Sequence, residues 1–303
     1  MASNNWTVTT HTLDFNGVNT WVRTSHPNEN DPTKAPVVVL HGGPGIGHNY
    51  LLPLQQWAEE GRQVIHYDQL GCGNSSHLPD AEPELWQPSL FIREFLNIID
   101  TLGLKRYHIV GQSWGGMLGA EIALTRPAGL VSLSICNSPA SMSSWVAEAN
   151  RLRTRLPEGM DELMQSYEKA GDTANPKYLT CVDEFYRRHV CRLETSPACL
   201  EESNQQMEAD PTVYHTMNGP NEFHVIGTLK DWSVIDRLDE ITVPCLVLSG
   251  EYDEATPATW LPFVEHIRDV QALVVPDSSH CTHLERTDEF LTSVESFMRE
   301  KEH

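Results

Sequence analysis

The 303-residue chain is 40% hydrophobic and 21% charged, which supplies a sizeable core and excludes disorder by composition. Its 21 Lys and Arg face 42 Asp and Glu, a formal charge of −21. A surface that negative repels phosphate backbones and anionic lipid, so neither nucleic acid nor membrane is an expected partner.

From the N-terminus, Asn16-Gly17 separates two strand-like stretches, Thr7 to Phe15 and Val18 to Arg23. This predicts a hairpin, because both turn positions need positive φ. After a polar link from His26 to Pro36, the β-branched run Val37 to Leu40 is too short for a helix and reads as a buried strand. Helix is expected over Tyr50 to Glu60, strand over Gln63 to Tyr67, and helix over Ser89 to Leu102, capped by Ser89 and ended by Gly103. Strand Tyr107 to Val110, helix Gly115 to Arg126 and strand Val131 to Ile135 follow. Such alternation predicts an α/β fold, a largely parallel sheet with helices on both faces.

The rhythm breaks near Ser138-Pro139. Residues 139 to about 236 are charged and rich in helix formers, with helices expected over Ser143 to Leu156, Met160 to Ala170 and Tyr178 to Val190. Alternation resumes with strand Cys245 to Leu248, helix Thr259 to Ile267, strand Ala272 to Val275 and helix Thr287 to about Arg299. The expected organisation is a core in two parts, 1–138 and 237–303, interrupted by a helical cap at 139–236.

Gly111-Gln112-Ser113-Trp114-Gly115 is G-x-S-x-G, set between an expected strand and an expected helix. A serine on that sharp turn points its hydroxyl out of the sheet, and the glycines permit the close helix approach. Serine needs a base, and the base needs an orienting acid; in this architecture both come later, on loops after late strands. Asp253 follows the strand beginning at Cys245, and His280 follows the strand ending at Val275. Both therefore belong at the carboxyl ends of strands, where ligands bind in open α/β sheets. His283 is a rival base, placed nearer the final helix and expected to face solvent, and Glu251 and Glu254 are rival acids. His41-Gly42-Gly43-Pro44-Gly45 directly follows the first buried strand. Its free backbone suits an oxyanion hole, with the N–H groups of Gly43 and Trp114 as donors.

His41 to Gly45, Asp68 to Ser75, Gly111 to Gly116, Gly250 to Pro257, Asp277 to His280 and the cap segment Met217 to Phe223 together resemble the proline iminopeptidase family of α/β-hydrolases. That family includes serine aminopeptidases of the tricorn-interacting type and amino-acid amidases. The resemblance implies Ser113, Asp253 and His280 as a catalytic triad. It also implies Glu222 and Glu254 as carboxylates holding the substrate's free α-amino group, which is mostly cationic at neutral pH. Read alone, Glu222 is one of 42 acidic residues and belongs on the solvated surface. The elbow departs from the common Gly-Gly start in carrying Gln112, a small change on its buried side. Trp145, Tyr214, Phe223 and Trp232 can line a pocket or form the cap's core.

The expected activity is release of N-terminal amino acids, proline or other small or apolar residues, from short peptides, or cleavage of amino-acid amides or esters. A second reading keeps the triad for a non-peptide ester, lactone or biosynthetic intermediate, and a third is a catalytically silent binding protein. No cofactor is expected. H-E-x-x-H, zinc-finger spacing and the phosphate-binding G-x-x-x-x-G-K-[ST] pattern are all missing. Arg151, Arg153 and Arg155 read most simply as a solvated helix face, with carboxylate binding as the alternative, and Cys72 reads as a small buried residue. Seven cysteines without C-x-x-C spacing read as reduced thiols. With no apolar run of about 18 residues and no leader-like N-terminus, the expected location is cytoplasmic.

Overall fold

The structure, a computed structural model, describes residues 6–302. One sheet holds eight strands in the order β1-β2-β4-β3-β5-β6-β7-β8. They are β1 Trp6–Phe15, β2 Val18–Pro27, β3 Val37–Leu40, β4 Val64–Asp68, β5 Tyr107–Gln112, β6 Leu130–Cys136, β7 Cys245–Gly250 and β8 Val270–Val275. The first hairpin closes at Asn16 and Gly17, with φ of 56° and 85°, and pairs Phe15 with Val18. β2 lies antiparallel to β4, and every pairing from β4 to β8 is parallel.

Helices α1 Pro88–Leu102 and α2 Trp114–Leu124 cover one face, where Phe91, Phe95, Leu118 and Ile122 share a core with Val38 and Ile109. The opposite face packs the 3₁₀ helix Asn49–Glu60 and the last helix, Thr287–Glu300, so that Leu54, Trp57, Phe290 and Phe297 meet Val37, Val39 and Val110. Successive residues of β3 thus feed different cores, which is why that strand is apolar throughout. Two expectations need correction here. The segment from Tyr50 is 3₁₀ rather than α, with Pro53 inside it and so one donor fewer for an α ladder. Ser89 is not the cap of α1: the helix starts at Pro88, preceded by extended Gln87, and proline's fixed φ suits that first position.

Between β6 and β7 run α3 Met142–Arg153, α4 Met160–Ala170, α5 Pro176–His189, α6 Ala198–Ala209 and α7 Thr212–Met217. They enclose a separate apolar cluster that includes Leu152, Met164, Tyr178, Phe185 and Phe223. Arg153 overturns the expectation of a solvated basic face. It is 1% exposed, pairs with Asp161 at 3.1 Å and Glu168 at 3.0 Å, and sits 5.1 Å from the Phe223 ring centre. At 100° per helical residue, positions two apart point to nearly opposite sides, so Arg151 stays exposed while Arg153 turns inward. The chain closes with α8 Pro257–His266, α9 Thr282–Glu285 and α10 Thr287–Glu300. Among the described residues no helix is long and apolar enough to cross a membrane.

Candidate active site

Because β3, β5, β6, β7 and β8 are successive parallel neighbours, the loops past their carboxyl ends stand in a row. They carry, in order, Gly43, Ser113, Asn137, Asp253 and His280. The chain continues from β3 to β4 on one side and returns to β5 on the other, the switch point at which open α/β sheets take ligands.

Ser113 sits between β5 and α2 with φ 57° and ψ −123°, a conformation few non-glycine residues adopt. It is held there by its N–H, which donates to the Cys136 carbonyl at 2.9 Å, and by its own carbonyl, which accepts from Ser138 Oγ at 2.7 Å. Glycine is obligatory on both sides. A Cβ at Gly111 would collide with the Gly115 carbonyl, and one at Gly115 with the Leu40 carbonyl.

Asp253 is buried and saturated with donors. Its Oδ2 accepts from Asn137 Nδ2 at 2.6 Å and Ser249 Oγ at 2.9 Å. Its Oδ1 accepts from the Ala255 N–H at 2.8 Å and lies 2.8 Å from His280 Nδ1. A carboxylate at Nδ1 places the imidazole proton there and leaves Nε2 free as a base. Burial pulls the His280 pKa down, but the charge and hydrogen bond of Asp253, with Glu222 and Glu285, outweigh it and hold the group above its ordinary value. Ser113 and His280 line one cavity of about 380 Å³. No hydrogen bond joins the Ser113 Oγ to the imidazole among the described residues; such contacts often tighten only when substrate fills the cleft.

The rivals fall elsewhere. Glu251 is exposed and accepts from the Asp277 N–H at 3.1 Å. His283 does not face solvent, contrary to expectation. The turn of α9 directs it inward, where it is fully buried, its Nε2 3.2 Å from the Tyr50 carbonyl, and burial lowers its pKa to about 3.

Gly43 adopts φ 104°, in the region that favours glycine. Neither its N–H nor that of Trp114 has a protein acceptor among the described residues, whereas the Gly42 N–H donates to Tyr50 Oη at 2.7 Å. The loop is fixed from beneath by His41, whose Nε2 accepts from the Gln69 N–H at 3.0 Å and whose Nδ1 lies 2.9 Å from the Gly42 carbonyl. Burial lowers the His41 pKa to about 4 and keeps the ring neutral.

Glu222 and Glu254 line the same cavity as Ser113. Glu254 is 1% exposed, neither of its oxygens has a hydrogen-bond partner among the described residues, and Oε1 lies 4.0 Å from His280 Nε2. Burial, then Glu222, then Asp253 push its pKa well above the carboxylate range. Glu222 Oε1 accepts from Tyr214 Oη at 2.6 Å. Burial raises its pKa, partly offset by Tyr214 and His280. Of the two, only Glu254 is left without a hydrogen-bond partner among the described residues.

Among the four aromatics, Tyr214 lines the cavity, and Trp145 sits 5.7 Å from the His280 ring in an edge-on contact while its Nε1 donates to the Glu222 carbonyl at 2.5 Å. Phe223 belongs to the cap's core, and Trp232 Nε1 donates to Glu121 at 3.0 Å. Beside Ser113 a second recess of only about 10 Å³ is walled by Met117, Met142, Trp145 and Leu229. Cys72 is buried, as expected. Among the described residues no group of three or more His, Cys, Asp or Glu is arranged to hold a metal ion.

Sequence reasoning missed Asn137 and Ser249, which reach Asp253 from distant segments and carry no local pattern. It also underrated Gln112, whose Oε1 accepts from Tyr50 Oη at 2.5 Å and whose Nε2 donates to the His280 carbonyl at 3.0 Å. The departure from Gly-Gly was the one available signal.

This sheet, with its loops in that row, is the architecture of an α/β-hydrolase, and the family described as alpha/beta hydrolase fold matches residues 35–287. The proline iminopeptidase of Saccharolobus solfataricus is 35% identical over 86% of this chain and 84% of its own. That of Thermoplasma volcanium is 36% identical over 85% and 86%. The crystal structure of a proline iminopeptidase from Mycobacterium smegmatis is 55% identical, covers 97% of this chain and 99% of its own, and superposes with a TM-score of 0.93. The chain belongs to the proline iminopeptidase family and is a serine hydrolase of the aminopeptidase class.

Proposed function

We propose that the enzyme releases the N-terminal residue from short peptides, or cleaves amino-acid amides and esters, with Ser113 as nucleophile, His280 as base and Asp253 as its orienting acid. Ser113 Oγ attacks the carbonyl carbon while His280 Nε2 takes its proton. The developing oxyanion is held by the N–H groups of Gly43 and Trp114, and one such donor is worth about 3 kcal/mol. The protonated His280 then gives its proton to the leaving amine as the C–N bond breaks. Water, activated by the same imidazole, releases the acyl group. No metal or cofactor enters this route.

The observation that carries the substrate reading is Glu254, buried without a donor beside Glu222. An α-ammonium between the two supplies the missing hydrogen bonds and charge. With the amine there and the carbonyl at Ser113, little free space remains beside the nucleophile, where the recess measures only about 10 Å³, and this favours proline or another small residue. On this reading residues 139–236 form a cap that limits substrate length over the two-part core, 1–138 and 237–303.

Rates on alanine 4-nitroanilide and its N-acetyl counterpart test the amine requirement. The free amine is expected to react at least 100-fold faster, and equal rates would remove Glu222 and Glu254 from binding. A fluorophosphonate probe should label Ser113 alone; an unlabelled Ser113 in protein that turns over substrate would exclude it as nucleophile.

A further inference from the structure

Two of the protein's thiols meet at the edge of the cavity. Cys281 directly follows His280, and Cys191 lies just past α5. The His189 carbonyl accepts the His280 N–H at 3.1 Å, and the Val190 carbonyl accepts the Cys281 N–H at 2.8 Å. Since the Val190 carbonyl is bonded to the nitrogen of Cys191, covalent geometry keeps the two Cα atoms within about 6.5 Å, inside the span a disulfide bridges. Both residues line the cavity, Cys281 buried and Cys191 partly exposed, and both are free thiols. Their chemistry is unequal. The mutual influence of the two side chains is the strongest acting on each, lowering the Cys191 pKa and raising that of Cys281. The accessible member is therefore the better thiolate and the buried one the resolving thiol.

We propose that Cys191 and Cys281 form a modification site for small-molecule disulfides, closing to an intramolecular disulfide that slows hydrolysis. The Cys191 thiolate attacks one sulfur of the small disulfide, breaking its S–S bond and expelling one thiolate. The Cys281 sulfur, giving up its proton, then attacks the Cys191 sulfur of the mixed disulfide and expels the second. Two protein thiols are oxidised, one small disulfide is reduced, and the two protons leave on the released thiols. The new bond ties the end of α5 to the loop that carries His280. Misplacement of a catalytic group by an ångström costs on the order of 100-fold, so closure need not block the cavity to matter.

The test is exposure of the native protein to oxidised glutathione, followed by peptide mass analysis and hydrolysis assays. The expected result is a 191–281 crosslinked peptide and a rate at least fivefold lower, restored by dithiothreitol. Cys281→Ser should trap glutathione on Cys191, whereas Cys191→Ser should leave residue 281 unmodified. Native protein without the crosslinked peptide, or a crosslinked protein with an unchanged rate, would overturn the proposal. Peptide mass reads the bond without any substrate, so this outcome is separable from the fate of the amine-clamp reading.

Discussion

Asp253 and Glu254 are neighbours in sequence, both almost completely buried, yet they sit in opposite surroundings. Asp253 meets four hydrogen-bonding groups, Asn137, Ser249, the Ala255 N–H and His280. Glu254 meets none. Burial alone therefore does not set the role of a carboxylate; the supply of donors does. The saturated group has its lone pairs taken up and lies against an imidazole, whereas the starved group is left with buried oxygens that nothing satisfies.

The comparison can be broken from its strongest side first. Ser113→Ala is expected to lower kcat roughly 10⁵-fold or more on every substrate, since the proposed route has no second nucleophile; retention of more than a hundredth of the rate would end it. Asp253→Asn should cost about 10⁴-fold in kcat with little change in KM, because an amide cannot hold the Nδ1 tautomer. Glu254→Gln should cut kcat/KM on free-amine substrates about 100-fold and leave an N-acetylated substrate nearly unaffected. A similar loss on both would return Glu254 to a structural role. Gln112→Gly, which breaks the ties to Tyr50 and the His280 carbonyl, is expected to lower kcat about tenfold with KM nearly constant.

The smallest effect is on stability. Burial raises the folded Glu254 pKa well above the ordinary value of 4.5, so the folded side chain keeps its proton to higher pH than the unfolded chain does. Its contribution is complete below that ordinary value and is lost as pH rises toward the elevated folded one, with a limiting slope of about 1.4 kcal/mol per pH unit. Urea midpoints between pH 5 and 8 should fall in the native protein and flatten in Glu254→Gln. Parallel pH profiles would show that Glu254 is ionised in the resting protein.

Much of this framework was legible in the residues themselves. Asn16-Gly17 marked the hairpin because few other pairs tolerate two positive φ values. The strand-end positions of Ser113, Asp253 and His280 followed from alternation, since a parallel sheet collects such loops on one rim. Burial on the polar side was harder to read. His283 and Arg153 are polar residues turned inward, and their partners, Tyr50, Asp161 and Glu168, lie on other elements. Asn137 is 116 positions from Asp253, and no periodicity links two such sites. Helix α6 also went unread, for its sequence ACLEESNQQMEA carries little apolar rhythm.

The donorless side chain at position 254 has a thermodynamic corollary. If it rests protonated, each arriving ammonium must expel a proton to form its ion pair. Substrate capture is then a cation exchange, and the heat measured by calorimetry should vary with the ionisation enthalpy of the buffer. Affinity for a non-hydrolysable amine should rise with pH until the ligand's own amine, near pH 8, begins to discharge. The pocket would select not only for charge but for the alkalinity at which that charge is worth trading.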